Sequence, residues 1–199
     1  MSNIKDLIGS CFKKDLIVAA KNTKDAHMNT VGSDYILVSA NKNAHIVRRN
    51  YKEIVAELNL KNREMSSSLV YKGVILIGTY VDTLFTFAQE DFSPLFQMRT
   101  QDSILSMTVL SEAHNFVAIG QAGGNLDVLK LQGSALTSGA IVNTMMVPKA
   151  GYINAMAVSC TGDKLFLACE QGLFVLRLDE TKKNPMVTKE VYLRDLLIT

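Results

Sequence analysis

The residues able to carry chemistry are few and widely spaced. Histidine occurs at His27, His45 and His114. As metal ligands they would need neighbours at short spacings, such as HxxxH or a cysteine pair, and none has one. The cysteines are Cys11, Cys160 and Cys169. An odd count without CxxC spacing gives neither a disulfide framework nor a zinc ligand set. They read as reduced thiols, at least two of them on buried strand faces, because a free cysteine packs as a small hydrophobe. The string Gly120-Gln-Ala-Gly-Gly124 follows an apolar run but lacks the GxGxxG order of a phosphate cradle, and no helical pattern follows it. Its better reading is a hairpin turn. Asp82, Glu90, Asp91 and Asp102 fall between apolar runs, where a catalytic pair would have to converge from separate loops. The expectation is a protein without enzymatic activity, cofactor or metal.

Bulk properties narrow the classes further. The chain has 199 residues, 48% of them hydrophobic, which is ordinary for a globular protein and argues against disorder. Twenty-one Lys+Arg against 19 Asp+Glu leave a net charge of +2, too little to draw the chain to nucleic acid or an acidic membrane. The basic pairs Lys13-Lys14, Arg48-Arg49 and Lys182-Lys183 lack the interleaved aromatics that stack single-stranded bases. No apolar run reaches the roughly 18 residues of a membrane span, and that at residues 16–20 is too short for a signal peptide. A cytoplasmic location is expected.

The elements that must position these residues are strands. Apolar runs of five or six residues recur at 35–40, 74–79, 115–120 and 164–169, each ending at a polar or glycine turn. Such runs suit strands buried on both faces. A more alternating run follows each, at 44–48, 83–87, 125–130 and 172–177, after a hinge of two to four residues. Hinges rich in Gly, Asn and Asp suit tight hairpins. The pairs repeat: the small residues Ser39, Gly78, Gly120 and Cys169 stand 39, 42 and 49 residues apart. The last interval carries the insertion GSALTSGA.

Each unit fills out to four strands. The last reads 152–158, 164–169, 173–178 and 186–193. The one before reads 104–110, 115–120, 126–131 and 141–147, and the second reads 67–71, 74–79, 83–87 and 94–98. The first has 35–40, 44–48 and 53–58, with an opening strand at 16–20 or 27–31. Residues 50–64 contain helix formers, but they fill the fourth-strand slot, so a strand is expected there. A period of about 40–45 residues with four strands per unit is that of propeller blades.

Residues 151–179, GYINAMAVSCTGDKLFLACEQGLFVLRLD, resemble a WD40 repeat in the order of start, turn and paired strands. Residues 104–131 are the next most similar. The resemblance covers roughly 34–193. It implies an all-β chain: a β-propeller of WD40-like type, with about four blades of four antiparallel strands at 14–60, 65–100, 103–147 and 151–193. These blades form one domain, as a small ring or as an incomplete ring within a larger one. The family's Trp-Asp pair is absent, its places holding Arg48-Arg49, Phe87-Ala88, Lys130-Leu131 and Arg177-Leu178. The family's buried tetrad of Asp, His, Ser and Trp therefore cannot form, and apolar packing with backbone pairing is left to hold the blades. The resemblance implies a protein–protein interaction scaffold in a larger assembly. Its partners are other proteins, among them a chain that completes the propeller. Asp91, Phe92, Leu95 and Phe96, around one polar turn, are the expected contacts. The alternative is a propeller enzyme or small-ligand binder using a central channel.

Overall fold

The structure is a computed structural model that describes residues 26–40, 42–49, 53–178 and 188–193. Those residues hold sixteen strands and no helix. The first sheet contains β1 (Ala26–Val31), β2 (Tyr35–Ala40), β3 (Asn43–Arg48) and β4 (Ile54–Leu58). The second contains β5 (Met65–Tyr71), β6 (Val74–Thr79), β7 (Thr83–Ala88) and β8 (Pro94–Arg99). The third contains β9 (Ile104–Ser111), β10 (Phe116–Gln121), β11 (Asn125–Gln132) and β12 (Ser138–Met146). The fourth contains β13 (Ile153–Val158), β14 (Lys164–Cys169), β15 (Gly172–Arg177) and β16 (Thr188–Leu193). Each sheet is an antiparallel meander in chain order. The opening strand of the first unit is thus β1, and the segment with helix formers enters β4. The apolar segments at 4–8, 16–20 and 195–199 lie outside the described residues.

The four sheets stack in chain order. Their first strands carry the contact: β1 packs on β5, β5 on β9 and β9 on β13. No sheet closes on itself, and among the described residues the fourth sheet has no comparable packing on the first. Because side chains alternate across a strand, each inner sheet has a leading face toward its predecessor and a trailing face toward its successor. Leu37, Ala44 and Ile46 of the first sheet meet Met65, Ile75, Ile77 and Phe85 of the second. Leu76 and Leu84 then meet Ile104, Val117, Ile119 and Leu129 of the third. Phe116, Ala118 and Val128 finally meet Ile153, Leu165, Leu167 and Phe174 of the fourth. Burial on both faces is why β6 and β10 read as unbroken apolar runs, since all six residues of each are buried.

The seams depend on small residues at one register position. Ser67 pairs with Gly78, and Ser106 with Gly120. A Cβ on Gly78 would stand 2.5 Å from Cγ2 of Ile104, and one on Gly120 would stand 2.6 Å from Cγ2 of Ile153. Glycine is needed at both because the first residue of the next sheet's first strand presses into the space. The Ser106 hydroxyl also donates to the Ile153 carbonyl at 2.8 Å, and Ser66 donates to that of Ile104.

Pairing also corrects two expectations. In the fourth sheet a bulge lies between Ile153 and Ala155, so Ile153 faces Cys169 and Ala155 faces Ala168. The residue equivalent to Gly78 and Gly120 is therefore Ala168; Cys169 aligns with Gln121, which faces Ile104. The insertion, expected to precede the fourth strand of its unit, partly joins it. Strand β12 begins at Ser138, and Leu136, at positive φ, is buried in the seam between the second and third sheets.

Candidate interaction surface

Short turns between second and third strands, together with the links between sheets, form one end of the stack. Antiparallel meanders put them there: the chain leaves every second and fourth strand at the same end. Backbone hydrogen bonds tie these segments together in series. Tyr80 N donates to Glu64 O, and Thr100 N to Asp82 O. Ala122 N then donates to Ser103 O, Val147 N to Gly124 O, and Glu170 N to Tyr152 O. The Ser103 hydroxyl adds a 2.6 Å bond to Tyr80 O. The second and third links are thus fastened to the hairpin turn on either side, and the first link to the turn that follows it.

This fastened end exposes large apolar side chains. Tyr80 is 42% exposed, Val81 46%, Met146 65% and Tyr152 52%. Among the described residues the other large apolar side chains with such exposure are Met28 and Ile54, which lie on strands away from it. Asp82 lies within 3.7 Å of Arg63 and 3.9 Å of Arg99, solvated pairs that orient the turn more than they stabilise it. A groove of about 360 Å³ opens at the same end on the first sheet, lined by Lys42, Asn43, Glu57, Asn59 and Asn62 among others.

Beneath the end of the third sheet lies a buried polar cluster. Asp127 on β11 is 1% exposed. Gln121 Nε2 donates to its Oδ2 at 2.6 Å, and the Thr144 hydroxyl donates to Oδ1 at 2.6 Å. Gln121 Oε1 accepts from the Asp102 backbone amide at 2.8 Å. Burial pushes the Asp127 carboxyl above its ordinary range, and the two donors partly offset that shift. A buried carboxyl of raised pKa is also what an acid catalyst looks like. Here, however, both oxygens are engaged and the group is sealed from solvent, so its work is to join β10, β11, β12 and the preceding link. The expectation that only apolar packing and backbone pairing hold the sheets is corrected by this cluster. Its signal was present in the sequence: a lone Asp among the apolar positions of Asn125–Gln132. The equivalent positions are Phe85, opposite Ile77, and Phe174, opposite Leu167.

The residues expected to bind partners lie at the opposite end, around the β7–β8 turn. Asp91 is exposed and accepts from the Ser93 amide at 3.0 Å and the Ser93 hydroxyl at 2.6 Å, bonds that hold its carboxyl below the usual range. Phe92, at φ 61°, meets Tyr35 edge to face at 5.3 Å and packs on the seam between the first and second sheets. Leu95 and Phe96 pack on the next seam, and Phe96 reaches β12 at Gly139. All three are half-buried. Tyr80, Val81 and Tyr152, exposed at the fastened end in a hinge and at a blade start, are not among those expected residues.

The thiols and methionines divide differently from expectation. Cys11 lies outside the described residues. Cys160 is exposed in the turn after β13, so of the described pair only Cys169 is on a strand. Cys169 packs on the seam between the third and fourth sheets, and burial pushes its thiol up to about 11. Met107, Met145 and Met156 fill seams as expected, whereas Met146 is exposed. His27 lies beside Tyr80, His45 on β3 and His114 in the β9–β10 turn, apart from one another. No protein-family model matches the chain, and no curated protein matches it.

Proposed function

We propose that this chain is a degenerate WD40-like β-propeller, a small ring or a part of a larger one, that serves as a non-enzymatic protein–protein interaction scaffold. The observation that carries this reading is the fastened end: Tyr80, Val81, Met146 and Tyr152 stand exposed on short segments hydrogen-bonded in series. Rigid presentation of aromatic and Met side chains lowers the entropy lost on binding, and those types dominate interface energetics. Four sheets of four strands in chain order support the propeller reading. Free thiols at Cys160 and Cys169 support a reducing, cytoplasmic setting. Among the described residues no helix is long and apolar enough to cross a membrane. A ligand site in a central channel would draw on the side of β1, β5, β9 and β13; the 360 Å³ groove lies on β3 and β4 instead.

The test is affinity purification with Tyr80→Asp/Tyr152→Asp beside the unaltered chain. Both changes lie on exposed positions, so circular dichroism and melting are expected to stay unchanged. The reading expects the co-purifying proteins to fall away from the variant. An unchanged set of partners would refute it.

A further inference from the structure

The trailing face of the fourth sheet matches, position for position in register, the trailing face of the third. On the third sheet Ser106, Thr108, Ala118, Gly120, Leu126 and Val128 share that face. On the fourth the same positions are Ala155, Ala157, Phe166, Ala168, Leu173 and Val175. The third sheet's face is buried under the fourth sheet, with Ile153 pressed against Gly120. On the fourth sheet's face Ala155, Ala157 and Ala168 are exposed, Phe166 and Leu173 half-buried, and Val175 buried. The face is apolar at all six positions, and it keeps small residues where the next sheet's first strand would press.

Resting on the scaffold reading above, we infer that this face seats a four-stranded β-sheet of another polypeptide, whose leading face is aliphatic and whose first strand begins with a bulky residue over Ala168. The seams within the chain define that partner. Met65, Ile104 and Ile153 are the anchors that open β5, β9 and β13, and all three are buried against the preceding sheet. A second copy of this chain fits poorly. At the anchor position of its first sheet stands Ala26, which faces Ala40 as Met65 faces Thr79 and offers no aliphatic chain. The leading face of that sheet is also already covered, since Ile36, Val38 and Val47 are buried.

The experiment places a photo-crosslinking phenylalanine analogue at Ala168, and separately at Tyr152, of the full chain added to an extract of its own cells. The crosslinked peptides are then sequenced. The inference expects the probe at 168 to join the first strand of a β-sheet in a different polypeptide. Adding Leu173→Glu, which buries an unpaired carboxylate in the seam, is expected to cut that product by at least about tenfold while the melting temperature of the chain is kept. A product made of two copies of this chain would overturn the inference, and so would no product at 168. Retention of the Tyr152 product in either case would leave the scaffold reading standing. Loss of both would remove the two together.

Discussion

The third and fourth sheets present the same face with opposite fates. Both set small residues on the first strand and at the Gly120/Ala168 position of the second, with larger apolar ones on the third, in matching register; Phe166 stands on the fourth sheet where Ala118 stands on the third. On the third sheet the face is sealed by Ile153, Leu165 and Phe174. On the fourth, Ala155, Ala157 and Ala168 meet solvent. Local sequence pattern therefore makes a sheet able to stack, and a neighbour of the right shape decides whether it does. The exposed part of that face is alanine methyls, which cost little to leave in water, while the larger Phe166, Leu173 and Val175 are half-buried or buried.

The largest contrast is expected from truncating the two faces. Ile153→Ala empties a fully buried anchor and is expected to cost about 4 kcal/mol, whereas Phe166→Ala on the open face is expected to cost under about 1 kcal/mol. Urea unfolding measures both. Equal losses would mean that the open face is covered within the isolated chain.

A smaller contrast lies at Gln121 and Cys169, which occupy equivalent positions. Gln121→Leu leaves the Asp127 carboxylate with Thr144 alone and orphans the Asp102 amide, for an expected loss of about 3 kcal/mol. Cys169→Ala removes only a half-buried thiol and is expected to cost about 1 kcal/mol. The cluster also sets a pH dependence. The folded-state pKa of Asp127 is raised, so the native state holds its proton longer than the unfolded chain. Its contribution to stability is full below the ordinary carboxylate range and is lost as pH rises through the raised value. Asp127→Asn should flatten that stretch of the stability–pH curve. An unchanged slope would show that the carboxyl is solvated.

The smallest effect concerns reactivity. In a Cys11→Ser background, Cys160 should label readily with a maleimide at pH 8. Cys169, its thiol pushed up to about 11 by burial, should label on the order of a hundredfold more slowly. Comparable rates would mean that β14 lies open on both faces.

The strand quartets were legible because two-residue alternation and glycine turns are local signals. The repeat slot also settled β4 against its helix-forming composition. The register of the fourth sheet was off by one residue because the bulge between Ile153 and Ala155 is set by pairing, and Ala168 and Cys169 are both small. The expected binding residues were harder. Phe92, Leu95 and Phe96 stand beside a polar turn just as Tyr80 and Val81 do, and composition does not tell an aromatic drawn into a seam from one left outside. Only the stacking of sheets decides that. Asp127 stands inside an apolar strand, where a lone carboxylate has no spacing motif to mark it and only the pairing with Gln121 and Thr144 reveals its role.

The central claim, that the fourth sheet carries a seam face with no neighbouring sheet among the described residues, is tested most directly by a matched pair of charges. Gly120→Glu and Ala168→Glu place the same carboxylate at equivalent positions and are compared by urea unfolding. The account predicts that Gly120→Glu loses more than about 3 kcal/mol or fails to fold, while Ala168→Glu stays within about 0.5 kcal/mol of the parent. Equal destabilisation by the two would contradict it.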